Sequence, residues 1–558
     1  MKYRRNLIYM LLLSAIVLII CNTSCIVNFS SNYIPPVKSE CLNEKLLADL
    51  KRQKYKNSHN NQINSKSKNN PLVLKGFYTK NISYTLFNND NTKVIFNKDN
   101  KQVFPKRYTK LKGVITFRGN NLRNAPSFGV VDIKEKKLIK SWEFTTSSLS
   151  WGGGAGWTGQ PVIVKWPDKV KKIMNIKEKF KNKKDFVEVI YGSLDGKIYF
   201  FDLESGELSR KPISIKNPIK GSVSIDPRGY PLLYVGQGIP ETGKIGYRIF
   251  NLINGKLLYF INGIDSIAFR KWGAFDGSAL INRNTDTFIL GGENGLFYFV
   301  KLNTNFDINK GTIKINPKLI KYRYKIKNNN FQGIENSVAA YRNVAYFADN
   351  GGSIQAIDLT TLSPIWALEK SDDIDATITL EIDNGIPYLY SGTEVDKQGK
   401  NGMSIIRKLN GLNGKIVWKK EYRCLSVKGK HPINGGMFAT NVIGKKEIKN
   451  IVIFTLARYK NFNSSLMVAL DKKTGKEIWR WEMKNYSWSS PVDIYSKNGK
   501  AYIIQCDSKG YMYLIKGKTG KIVDKIDLKF NIESSPAVYT NYAVIATRGD
   551  KIYCVKIT

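Results

Sequence analysis

The stretch Leu466-Met-Val-Ala-Leu-Asp471-Lys-Lys-Thr-Gly475-Lys-Glu-Ile-Trp479 recurs along the chain in altered copies. Asp202-Leu-Glu-Ser-Gly206, Asn251-Leu-Ile-Asn-Gly255 and Asn410-Gly-Leu-Asn-Gly414 keep an Asp or Asn and a Gly four residues later. Asp358 keeps the acid alone and Gly520 the glycine alone, while Tyr259, Trp366, Trp418 and Trp479 place an aromatic just beyond the turn. An Asp or Asn side chain bonds its own backbone in such a turn, and Gly supplies the positive φ of a short hairpin. Alternating apolar residues on both sides, as in Lys197-Ile-Tyr-Phe-Phe and Lys415-Ile-Val-Trp, turn one face of each strand into a core. A four-stranded unit repeated every ~40–50 residues predicts an all-β chain folded as a β-propeller.

The units can be counted by their second strands. They begin near Val187, Leu232, Thr287, Asn343, Ile386, Ile451, Ala501 and Tyr542, which predicts eight four-stranded blades. The last unit ends at Lys551-Ile-Tyr-Cys-Val-Lys-Ile-Thr558 without a fourth strand. Lys137-Leu-Ile-Lys-Ser-Trp142-Glu-Phe, near the other end of the ring, has the pattern to supply it. A ring closed by strands from both termini leaves no free sheet edge.

The chain has 558 residues and a formal net charge of +43, from 88 Lys and Arg against 45 Asp and Glu. Such a balance favours an anionic surface or polymer as partner, and the abundance of Lys, Asn and Ile also fits an AT-rich coding bias. Residues 1–28 read as a signal peptide or membrane anchor: Lys2, Arg4 and Arg5 precede the apolar run Leu7–Ile20. Cys21 and Cys25 stand where a lipid could be attached, but their neighbours suit an uncleaved anchor better. An exported body and an extracytoplasmic location at the cell membrane follow, which disfavours nucleic acid as a partner. Residues 29–70, rich in Lys, Asn and Ser, read as a disordered tether, and 71–112 as a short β-rich extension. Cys424, Cys506 and Cys554 match no zinc spacing and suit buried apolar positions. The Lys-rich insertion 171–184 and the run 310–327 suit solvated loops and an exposed strand face, or a basic rim for wall polymer or lipid headgroups.

Ile115-Thr-Phe-Arg118-Gly119-Asn120-Asn-Leu-Arg123 resembles the Arg-Gly-x-x-x-Arg segment that leads into the propeller of bacterial PQQ-repeat proteins, and the blade motif resembles that family's hallmark. The likeness spans 113–558 and implies a PQQ-like eight-bladed propeller. It leaves activity open, because the same repeat serves quinoprotein dehydrogenases and non-catalytic propellers such as outer-membrane assembly lipoproteins. The dehydrogenases imply PQQ, Ca²⁺ held by Glu and Asn oxygens, an Asp base and, in the alcohol enzymes, a vicinal Cys-Cys disulfide. This chain has no Cys-Cys pair and only two His, His59 and His431.

Candidate residues at a propeller mouth are Asp276, Glu335, Asn336 and Glu533 at the inner starts of blades, with Asp375 and Asp226 as weaker cases. Trp157 and Gln160 belong to the glycine-rich segment 151–161, which suits a tight packing turn or a mouth-lining loop with Trp157 as a stacking platform. The expectation is a monomeric, non-catalytic, membrane-tethered ring without cofactor that binds a protein or an anionic envelope polymer. The alternatives are a PQQ- and Ca²⁺-dependent dehydrogenase and a glycan-binding surface protein.

Overall fold

The computed structural model describes residues 81–96, 102–156, 159–396, 398–430 and 432–558. The expected anchor (1–28), the tether (29–70), Trp157 and His431 lie outside the described residues. The second strands anticipated from the repeat are Glu188–Gly192, Leu232–Val235, Thr287–Gly291, Val344–Ala348, Ile386–Gly392, Ile451–Ala457, Ala501–Cys506 and Tyr542–Ala546. Each lies in a sheet of its own, so the ring has eight blades. These strands are almost wholly buried because both faces of every blade are covered by its neighbours. Cys424, Cys506 and Cys554 are free and buried in this core.

Ring closure takes the form anticipated. Leu138–Thr145 pairs antiparallel with the final strand Lys551–Ile557, setting Trp142 opposite Cys554, and becomes the outer strand of blade eight. On the axial side of that blade, Ser127–Phe128 runs parallel to Ala537–Tyr539.

The repeat motif is the joint between blades. The Trp418 ring lies on Gly475 of the next blade, and its Nε1 donates to the Lys472 carbonyl at 3.0 Å. Trp142 on Gly206, Trp366 on Gly414 and Trp479 on Gly520 repeat the contact, each with its indole N–H on a carbonyl of the same turn. Glycine is required there twice over: Gly475 has φ +70°, and a Cβ would stand 2.9 Å from the Trp418 ring.

The two basic runs are more ordered than solvated loops. Residues 168–182 fold into short helices, Asp168–Ile173 and Glu178–Asn182, which bury Val170 and Phe180. Lys318–Ile326 is the outer strand of blade three, and Ile82–Asn88 of the N-terminal extension adds to it as a fifth strand. Its exposed edge is thereby paired.

The hub of the ring is the segment 115–126, whose hydrogen bonds reach the inner strand of every blade. The Arg118 backbone N–H donates to Gln160 Oε1, Ile225 N–H to the Ile115 carbonyl, and Val538 N–H to the Pro126 carbonyl. Arg118 sends Nη1 to the Pro491 carbonyl at 2.6 Å and Nη2 to the Asn441 carbonyl at 2.7 Å. Arg123 reaches the Val338 and Ser278 carbonyls at 2.8 and 2.9 Å. Ala340 and Leu380 N–H groups donate to the Asn121 and Leu122 carbonyls. Burial pushes both guanidiniums down to about 10, so both stay charged at neutral pH. Charged donors bonded to carbonyls are the strong kind of hydrogen bond, and here they close the channel from below.

Candidate functional site: an acidic well at the channel mouth

Above the hub, the inner strands are stitched to one another by hydroxyls. Ser337 Oγ accepts Ser278 N–H at 2.9 Å, Thr377 Oγ1 accepts Ser337 N–H at 2.9 Å, and Thr440 Oγ1 accepts Thr377 N–H at 3.1 Å. Ser490, Ser535 and Ser222 accept the corresponding N–H groups of Thr440, Ser490 and Gln160. Ser535 N–H meets the Gly159 carbonyl at 2.9 Å. This belt sets the register of the next layer: in each blade the residue two positions earlier stands on the mouth side. From blade two to blade eight that layer reads Lys220, Asp276, Glu335, Asp375, Phe438, Trp488 and Glu533.

One arc is acidic. Asp276 and Glu293 come from blade three, Glu335 from blade four, Asp373 and Asp375 from the loop that leads into blade five, and Glu394 from the short strand Glu394–Val395 that pairs with Gly435–Gly436. Carboxylate oxygens of Asp276, Glu293 and Glu335 lie within 4.8 Å of one another. Lys220 Nζ is 2.5 Å from Asp276 Oδ2. Burial works against the Lys220 ammonium, but the attraction of Asp276, Glu293 and Glu335 outweighs it and raises its pKa. Asn350 Nδ2 bridges the two halves of the arc, donating to Glu335 Oε1 at 2.8 Å and reaching Asp373 and Asp375 at 3.3 Å.

Burial and mutual repulsion raise the pKa values of Asp276, Glu293, Asp373, Asp375 and Glu394. Burial first, then Glu335 and Asp276, put Glu293 well above it. Asp373 and Glu394 are raised well above it for the same two reasons, burial first and neighbouring carboxylates second. Asp375 is raised to about 7. Asp276 is also raised, because burial outweighs the pull of Lys220.

The opposite arc is aromatic. Phe438 and Trp488 stack with centroids 4.8 Å apart, and Arg458 lies over Tyr486 at 4.4 Å. Between the arcs lies a cavity of about 10 Å³, room for roughly one water molecule, lined by Asp276, Glu335, Asp375, Phe438 and the belt hydroxyls.

The structure brings Asp276, Glu335 and Asp375 together. Glu533 stands on the far side of the channel, bonded to Asn531 and 3.8 Å from Arg548. Asn336 ties blade four to blade five through the Ala348 and Ile374 carbonyls. Gln160 lies below the mouth, with its backbone in the belt and its side chain on the hub. Asp226 pairs with Arg228 at 2.5 Å, away from the well. Sequence reasoning missed Lys220, Glu293, Asp373 and Glu394. Lys220 could have been found from the belt spacing, whereas Glu293, Asp373 and Glu394 lie outside that spacing.

A quinone with Ca²⁺ is the group this fold holds in its best-known enzymes. Three clustered carboxylates suit a hard cation that wants six to eight oxygen ligands. Here, however, the Lys220 ammonium is already the counter-charge among them, and the axial cavity offers no slot for a flat polycyclic ring. The residues present do not fit that cofactor.

No protein-family model and no curated protein matches the chain. Solved structures do. The quinohemoprotein alcohol dehydrogenase ADHIIG from Pseudomonas putida HK5 aligns with TM-score 0.52 and 11% identity over 80% of each chain. That from Comamonas testosteroni aligns with TM-score 0.52 and 13% identity, again over 80% of each. BamB from Moraxella catarrhalis is a looser match, with TM-score 0.44 and 16% identity over 75% of this chain and 97% of that one. The two dehydrogenases share the fold, and at such identities the likeness extends to the fold alone.

Proposed function

We propose that this chain is a non-catalytic propeller of the PQQ-repeat type. It is held at the outer face of the cell membrane by its N-terminal segment, and it binds a polypeptide partner at the mouth. The observation that carries the reading is Lys220: an ammonium of the protein itself neutralises the acids that a metal-dependent dehydrogenase would keep for its cation. The mouth rim supports a polypeptide over an anionic polymer. Trp151, Phe269, Trp272, Phe331 and Phe530 are each 39–52% exposed there, beside a well of carboxylates.

The test is a thermal melt of the full chain in detergent, with and without excess PQQ and CaCl2. A ligand held only by the folded ring adds roughly 2.7 kcal/mol of stability at about 100 times its Kd. The expected result is an unchanged midpoint. A rise in midpoint that Asp276→Ala abolishes would make the protein a quinoprotein and overturn the reading.

A further inference from the structure

The acidic well is neutralised on one side only. Lys220 pairs with Asp276 and acts on Glu293 and Glu335, and its pull extends more weakly to Asp375. On the other side stand Asp373, Asp375 and Glu394. Among the described residues no Lys or Arg stands within ion-pair distance of any of the three. Their polar partners are Asn350, which offers one amide to Asp373, Asp375 and Glu335, and each other. Glu394 is 1% exposed, and its Oε1 has no hydrogen-bond partner. Glu293 Oε1 is similarly unpartnered at 2% exposure, while its Oε2 accepts Trp272 Nε1 at 2.7 Å. A buried carboxyl oxygen left unpaired has given up its hydration without replacement, so the site is built at an energetic loss that a cationic donor would recover.

Asp375 and Glu335 line the small axial cavity, whose volume suits an ammonium head and nothing broad. Phe331 and Phe269, 52% and 42% exposed, lie on the loops that lead into Glu335 and Asp276. They offer apolar surface to the stem and backbone around such a head.

We propose that Asp375, backed by Asp373 and Glu394, receives the side-chain ammonium of a lysine on a partner polypeptide, inserted along the channel axis as the counterpart of Lys220. This rests on the reading of the ring as a polypeptide-binding protein and specifies the chemistry of the contact. Lys220 is the intramolecular precedent: the same ring layer already holds one ammonium against the same kind of acid at 2.5 Å. Lysine suits the site better than arginine, because a planar guanidinium fork needs more room than a single ammonium head. The charge pattern is also selective. The chain carries a net charge of +43, so a cationic segment meets few favourable surfaces, and this well is one of them.

The probe is tetralysine amide, titrated calorimetrically into the full chain in detergent, with its fully Nε-acetylated form as the control. The expected result is binding of tetralysine and none of the acetylated peptide, with affinity rising between pH 5.5 and 8 as the acids release protons. Asp375→Asn and Glu394→Gln should each weaken binding at least about tenfold. Glu421→Gln, on the outer face of blade five, should leave it unchanged. Circular dichroism and the melting midpoint check that each variant is folded. Four results would overturn the proposal: no binding of tetralysine, equal binding of the acetylated peptide, equal loss in Glu421→Gln, or a Ca²⁺ site that excludes the peptide. None of these depends on the PQQ melt, so the two readings fail separately.

Discussion

At the scale of single residues, Asp375 reports the electrostatics of the well. Burial first, and the neighbouring Glu335 charge second, raise its pKa to about 7. In the unfolded chain an Asp titrates near ~3.9. The folded state therefore binds the extra proton between those values, and its contribution to stability is full below about pH 4 and falls away as the pH rises through 7. Asp375→Asn keeps the shape and removes the need to ionise. Thermal melts should place its midpoint about 1–3 °C above wild type at pH 8 and level with it at pH 4.5. A variant less stable than wild type at pH 8 would show that the carboxylate is already charged and paired.

At the scale of elements, stability is concentrated where a tryptophan of one blade meets a glycine of the next. Each indole buries roughly 150–250 Å², worth several kcal/mol at about 25 cal/mol per Å². Gly475→Ala would drive a methyl group into the Trp418 ring and place a Cβ at φ +70°. Denaturant unfolding should show a loss of about 2–4 kcal/mol, from overpacking and left-handed strain together. Gly385 also has positive φ, +81°, but nothing lies within 4 Å of where its Cβ would be. Gly385→Ala should therefore lose only about 1–2 kcal/mol, which separates the packing cost from the backbone cost.

At the scale of the whole molecule, the ring holds its shape against a net charge of +43. Even with ion pairs such as Lys183–Asp202 and Arg210–Glu188, 88 cationic residues outnumber 45 acidic ones, so the surplus repel one another. Added salt screens that repulsion over a Debye length that shrinks from about 10 Å at 0.1 M to about 3 Å at 1 M. The melting midpoint of the full chain should rise by several degrees between 20 mM and 0.5 M NaCl. A flat or falling midpoint would mean that the cations are already paired off across the surface. The closure of blade eight by Leu138–Thr145 makes the unfolding cooperative as well, since either terminus leaving the sheet exposes a full strand edge.

Blade number, the position of the second strands, the closing strand and the placing of an aromatic just beyond the turn were legible in the sequence. Each depends on a pattern that repeats locally: a period of two, a turn of Asp and Gly, and an aromatic at fixed distance. Asp276, Glu335 and Asp375 were legible as acids at the inner starts of blades for the same reason. The tertiary structure alone decided the rest. Lys220 sits in the repeated layer, but its meaning depends on acids 56 and more residues away. Glu293, Asp373 and Glu394 lie outside that layer, and they meet only because eight blades converge on one axis. The hub formed by Arg118 and Arg123 reads in sequence as a short lead-in, yet its partners span residues 160–538. Period and turn chemistry specify elements because they act over a few neighbouring residues. Charge and hydrogen-bond partners across the channel depend on distance in space, which ring closure sets.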